Sequence, residues 1–196
     1  MTTEPQARKR ELRADLVAAR ARLTPLERER HASAIAARLV AVPTFREART
    51  VALYAPLGGE VDPGPITAAV LARGGRVLFP RAVPGARRLA FCACGPGELV
   101  RGPLGAGEPP PATPEVPLDE IACFVIPGVG FSRDGLRLGR GGGYYDATLA
   151  LAPGAFRVGV AFDLQLRPGL PREPHDVPLD AVVTEREILL FQRPVT

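Results

Sequence analysis

Four apolar positions, Leu12, Leu16, Ala19 and Leu23, recur three or four residues apart among charged neighbours. That spacing puts them on one stripe and predicts a helix over residues 5–23. Thr24-Pro25-Leu26-Glu27 reads as a capping box, in which Thr24 caps a second helix, Pro25 fits its first turn and Glu27 reaches back. The second helix is expected to run to about residue 42, where Pro43 interrupts it. Beyond that point the pattern changes to short apolar runs. Residues 50–55, 76–79, 87–93, 121–126, 156–162, 181–184 and 188–191 are predicted strands. A helix over residues 64–73 and another of about ten residues from Gly143 lie between them. Residues 95–118 are dense in proline and glycine and read as a long irregular connection.

Alternating short strands and helices predict an α/β fold, a three-layer α/β/α sandwich around a mostly parallel sheet, preceded by two N-terminal helices. Neither an internal repeat nor a linker divides the chain, so residues 1–196 are expected to form one domain. With 46% hydrophobic and 23% charged residues, the composition is that of a globular protein and argues against disorder. No run approaches the roughly 18 apolar residues of a membrane span, and the polar start has no signal core, so a soluble cytoplasmic protein is expected. Cys92, Cys94 and Cys123 have no zinc spacing and are expected to be reduced thiols, the first two as strand residues.

The net charge of +4 favours anionic partners without choosing between small molecules and nucleic acid. Lys9 is the one lysine among 25 basic residues, and it lies four positions from Arg13 on the first predicted helix. Such a pair shares a face, and like charges there destabilise a helix slightly unless an anion bridges them. A solvated basic face is the plainer explanation, but lysine is a compact point charge suited to phosphate and arginine is no direct replacement.

The most informative segment is Pro127-Gly-Val-Gly-Phe-Ser-Arg-Asp-Gly-Leu-Arg-Leu-Gly-Arg-Gly-Gly-Gly-Tyr-Tyr-Asp146. It follows a predicted strand and precedes a helix, where open α/β sheets bind ligands. Gly139, Gly141, Gly142 and Gly143 let backbone amides close around phosphate oxygens, and the next helix adds its positive end. Arg137 and Arg140 supply charge, and Asp146 offers a hard oxygen for magnesium. No Gly-Lys-Ser/Thr follows, so this is not a Walker A loop. Two further loops stand out, Ala55-Pro-Leu-Gly-Gly-Glu-Val-Asp62 at a strand end and Pro174-His175-Asp176-Val-Pro-Leu-Asp180.

Taken whole, the chain resembles the 5-formyltetrahydrofolate cyclo-ligase family, whose signature leads from Pro-Gly-x-x-Phe into Arg-Leu-Gly-x-Gly-x-Gly-Tyr-Tyr-Asp. Pro127, Gly128, Phe131 and residues 137–146 match it in order. The resemblance covers nearly the whole chain and weakens between about residues 84 and 117. It implies ATP- and Mg²⁺-dependent closure of 5-formyltetrahydrofolate to 5,10-methenyltetrahydrofolate by a small-molecule enzyme, expected to be a monomer without nucleic-acid or membrane partners. By residue, it implies ATP contacts from Lys9, Arg10, Glu11, Leu12 and Arg13, and from Arg137, Leu138, Gly139, Arg140, Gly141, Gly142, Gly143, Tyr144 and Tyr145. Arg140 and Lys9 would act catalytically, Ala55, Glu60 and Tyr144 would meet the folate, and Asp146 and Asp176 would hold Mg²⁺. Asp180 is expected to structure its turn and His175 has no assigned role. Some members carry lysine where this chain has Gly142, so that charge must come from elsewhere or be absent. The rivals are a sugar-phosphate isomerase or acyl-transferase acting without ATP, and an RNA-binding module, for which no aromatic-basic motif is present.

Overall fold

The computed structural model describes residues 4–192. Three helices come first: α1 (Glu4–Ala21), α2 (Pro25–Ala41) and the short α3 (Pro43–Glu47). The capping box forms as expected, with the Thr24 hydroxyl accepting from the Glu27 amide and the Glu27 carboxylate accepting from Thr24 N–H. Pro43 ends α2 and opens α3 instead of leading into coil.

The chain continues through β1 (Thr50–Ala52), α4 (Gly64–Ala72), β2 (Arg76–Ala82) and β3 (Leu89–Ala93). The proline- and glycine-rich stretch holds only two-residue strands, β4 (Val100–Arg101), β5 (Gly107–Glu108) and β6 (Glu115–Val116). Then come β7 (Cys123–Ile126), β8 (Gly130–Ser132), β9 (Arg137–Leu138), α5 (Tyr144–Leu149) and β10 (Phe156–Val160). The last elements are β11 (Leu166–Arg167), β12 (Ala181–Val183) and β13 (Ile188–Leu190).

Eight strands form one sheet in the order β13-β12-β10-β7-β1-β2-β3-β6. The five from β12 to β2 run parallel, while β13, β3 and β6 join antiparallel at the two sides. Strand β2 runs through Pro80, three residues past its predicted end. Its last rung with β1 is Leu78, so the missing Pro80 N–H is not needed by that ladder, and β3 pairs alongside instead.

Side chains alternate across the sheet. Val51, Val77, Cys123, Val125, Val158 and Val183 pack beneath α2, α3 and α4. Ala52, Leu78, Phe124, Ile126 and Val182 face the other way, covered by Leu149 of α5 and by Phe131 and Leu166 of a small β11-β8-β9 sheet. The second outer layer is therefore one short helix and a small sheet, thinner than an α/β/α sandwich with equal faces. Among the described residues no helix is long and apolar enough to cross a membrane.

Chain order reverses between β1 and β7. From β1 the chain moves through α4 to β2 on one side; from β7 it moves through α5 to β10 and β12 on the other. The crevice beyond the carboxyl ends of β1 and β7 is the topological switch point, where open α/β sheets bind ligands.

Candidate active site

Helix α1 lies across that crevice, but not on the stripe its apolar residues suggest. Lys9, Leu16 and Arg20 are its most buried side chains, with Arg13 between them, while Leu12, Ala19 and Leu23 are only partly covered. Steps of four, three and four residues return each to nearly the same helical azimuth. Leu16 packs on Val129 and Leu138, holding the helix against β9. The remaining inward positions are cationic, so the helix delivers charge to the crevice rather than closing a core.

Each cation finds a defined partner. Lys9 Nζ lies 2.7 Å from Glu173 Oε2 and 2.8 Å from Asp176 Oδ2. Burial alone would depress the Lys9 pKa, but the hydrogen bonds and charges of Asp176 and Glu173 together outweigh it and leave it above its ordinary value. The same bond from Lys9 holds Glu173 below the usual carboxylate range. Arg13 Nε donates to Gly139 O at 2.8 Å. Arg20 donates to Gly58 O at 2.8 Å and, more weakly, to Gly128 O at 3.5 Å, tying together the loops that leave β1 and β7. Sequence periodicity passed over Arg20, because a buried arginine between two carbonyls has no local signature.

The glycine-rich loop joins β9 to α5. Gly141 (φ 105°) and Gly143 (φ 71°) occupy the left-handed region that side chains avoid. At Gly139 a Cβ would sit 2.6 Å from Arg137 Nη1, and at Gly142 one would sit 2.8 Å from the Tyr144 ring. A side chain at 142 therefore needs Tyr144 to move. Among the described residues the amides of Arg140, Gly141, Gly142 and Gly143 find no acceptor within the chain. Arg137 Nη2 bonds Asp146 Oδ2 at 2.7 Å and its guanidinium lies 5.4 Å over the Tyr145 ring. Tyr145 packs on the core beneath, its buried hydroxyl lacks a partner among the described residues, and burial pushes its pKa up. Helix α5 has six residues rather than the ten expected, so bare amides and guanidinium groups, not a long helix dipole, give this loop its positive character.

Across the crevice, Glu60 is the hub of the β1 loop. Its Oε1 accepts from Arg140 Nε at 3.0 Å and its Oε2 from Leu57 N–H at 2.9 Å, while Arg140 Nη2 donates to Leu57 O at 2.8 Å.

These groups line one cavity of about 410 Å³, within the usual range for small-ligand sites. Lys9, Arg13, Ala55, Glu60, residues 137–146, and Asp176 all reach its wall. Arg10 and Glu11 are exposed and, like Leu12, stand outside it. Glu173 and Glu108 are lining carboxylates that sequence reasoning missed. The wall holds four cationic side chains, Lys9, Arg13, Arg137 and Arg140, against five carboxylates. Most of the cationic charge is already matched, so a polyphosphate would need an added cation. Hard oxygens for one are at hand. Donor atoms of Glu173, His175 and Asp176 lie within 4.8 Å of one another, and Asp146 Oδ1 accepts from Val177 N–H at 3.4 Å, beside Asp176. The donor set fits magnesium.

The 5-formyltetrahydrofolate cyclo-ligase family profile matches residues 5–185 of the chain. This chain belongs to that family. It is 36% identical over 151 residues to the 5-formyltetrahydrofolate cyclo-ligase of Mycolicibacterium smegmatis, covering 74% of this chain and 78% of that one. The Escherichia coli K12 protein of the same name is 38% identical over 150 residues, covering 72% and 80%. The NMR structure of Aquifex aeolicus 5,10-methenyltetrahydrofolate synthetase superposes with a TM-score of 0.82 at 32% identity, covering 96% of this chain and 95% of that one. As in that comparison, the family likeness runs through both ends of the crevice, from α1 to β12.

Proposed function

We propose that this ligase uses Mg-ATP to close 5-formyltetrahydrofolate to 5,10-methenyltetrahydrofolate, releasing ADP and phosphate. The observation that carries the reading is the convergence of Lys9, Arg13, Arg137 and Arg140 with a loop of unsatisfied amides in one cavity. Closing the ring expels the formyl oxygen, and oxide is a poor leaving group. Phosphorylation solves this. The formyl oxygen attacks the γ-phosphorus and the bond to ADP breaks. The N10 lone pair then forms a bond to the formyl carbon, and the carbon–oxygen bond breaks as phosphate departs with that oxygen. N10 gives up its proton in the process.

Such a transfer needs positioning and charge, not a covalent enzyme nucleophile. Arg140, half-exposed and aimed by Glu60, is assigned to the transferring phosphoryl group. Lys9 has a compact ammonium fixed by Glu173 and Asp176 at the same wall, and it is assigned to neutralising phosphate oxygens. Arg13 and the 139–143 loop hold the phosphate chain, with Arg137 braced between Asp146 and the Tyr145 ring. Asp146 and Asp176, with Glu173 beside them, would hold magnesium, which when bound supplies positive charge on the phosphate oxygens. Tyr144, Ala55 and Glu60 are assigned to the folate side.

The test is near-ultraviolet absorbance of 5-formyltetrahydrofolate mixed with the protein. The methenyl chromophore is expected to grow with Mg-ATP and not with ATP plus a chelator. A folded protein that leaves the spectrum unchanged under both conditions defeats the proposal.

A further inference from the structure

Glu108 is the one cavity-lining carboxylate to which neither the family motif nor the phosphate chemistry gives a role. It ends β5, in the hairpin where Val100 pairs with Glu108 and Arg101 with Gly107. The residue is 7% exposed and lines the cavity, yet among the described residues its side chain has no hydrogen bond or ion pair. The other four carboxylates are engaged: Glu60 with Arg140, Asp146 with Arg137, Glu173 and Asp176 with Lys9.

The surroundings make room for this group. Its side chain lies over Gly102, where a Cβ would stand 2.3 Å from Glu108 Cδ, so only glycine leaves the space. Gly107 is wedged nearby, its α-carbon facing Ala55 and Leu99. The hairpin is thereby pressed on the loop that leaves β1, the folate side assigned above. No partner among the described residues occupies the Glu108 carboxylate, and the cavity it lines leaves it to a ligand that brings donors.

We propose that Glu108 binds the pterin ring, accepting from N3–H and the 2-amino group through its two oxygens. The 2-amino-4-oxo ring presents those two N–H donors side by side, matching the paired oxygens of a carboxylate as a guanidinium does. Pro80, Leu89, Leu104, Ala106 and the Tyr144 ring supply flat or apolar wall for the heterocycle. Arg13 and the Gly139 carbonyl, which bond each other, mark the phosphate wall. Adenine offers no such adjacent donor pair on one edge, so the carboxylate selects folate over nucleotide. The inference rests on the folate reading of the same cavity.

The experiment compares wild type with E108Q, which keeps the shape but loses the paired acceptors. KM for 5-formyltetrahydrofolate is expected to rise about 10- to 100-fold, the range for a charged hydrogen-bonded pair, with KM for ATP and the thermal midpoint unchanged. A 2-desamino-2-methyl analogue of the substrate should bind wild type weakly by a similar factor and bind E108Q no worse than wild type. An unchanged folate KM, equal losses for substrate and analogue, or a shift confined to ATP would overturn the assignment. If E108Q changes the thermal midpoint, the analogue on wild type decides: binding as tight as the substrate overturns it. Wild type inert toward 5-formyltetrahydrofolate and Mg-ATP removes the folate reading, and Glu108's role with it; an active wild type with indifferent E108Q removes the Glu108 role alone.

Discussion

Replacing Lys9 with methionine keeps the packed stem and removes the ammonium from between two carboxylates. Lys9 is 7% exposed at its side chain, Asp176 11% and Glu173 22%. Exposed pairs contribute at most about 1 kcal/mol, whereas breaking a fully buried pair costs about 3–5 kcal/mol. With one acid partly open to water, the intermediate value of about 2 kcal/mol is expected. For a chain of nearly 200 residues this lowers the thermal midpoint by roughly 4–8 °C. The sign with pH follows from the two shifts. The Glu173 pKa is depressed in the folded state, so its contribution is present above its unfolded value and lost as pH falls through the folded one. The Lys9 pKa is raised, so its contribution is full below the unfolded value and lost only as pH rises through the folded one, in strong alkali. The deficit of Lys9→Met should therefore hold at neutral pH and shrink below about pH 4. Thermal unfolding followed by circular dichroism, with a chelator present, measures it. Equal midpoints for variant and wild type at pH 7, or a deficit that persists undiminished in acid, would refute the ion-pair reasoning.

Arg140→Ala removes the half-exposed partner of Glu60, itself 6% exposed, so a stability loss of about 1–2 kcal/mol is expected while kcat falls about 100- to 1000-fold; wild-type turnover would remove Arg140 from the phosphoryl transfer. Gly139→Ala drives a Cβ into the buried Arg137 guanidinium and should cost about 1–3 kcal/mol and weaken ATP binding, measured by unfolding and by ATP titration. Gly159→Ala, in β10, meets the Phe131 ring at 2.4 Å and Leu179 at 2.8 Å and should cost at least as much, whereas Gly154→Ala, with nothing within 4 Å, should leave the midpoint unchanged.

Much of this was legible locally. The capping box, both long helices, the apolar run ending in β7 and the glycine-rich loop carry their signals within a few residues, and each appears where its pattern placed it. What the sequence hid is non-local. Lys9 meets Glu173 and Asp176 across more than 160 residues, and nothing near Glu173 distinguishes it from other loop acids. The apolar stripe predicted the helix α1 but not its orientation, which sets it over a charged crevice and buries Lys9 and Arg20. Lys9 was expected to matter for turnover alone; its two ion pairs give it a structural share as well. The strands β8, β9 and β11 were read as loop because two- and three-residue strands have no periodicity to detect. The position of the crevice depends on strand order, which periodicity does not carry.

Phosphoryl transfer to the formyl oxygen is tested most directly with 5-formyltetrahydrofolate labelled with ¹⁸O in that position. After turnover with unlabelled Mg-ATP, mass spectrometry of the released inorganic phosphate should find one ¹⁸O per phosphate, carried over from the formyl group. Unlabelled phosphate, with the ¹⁸O appearing in water instead, would contradict the mechanism.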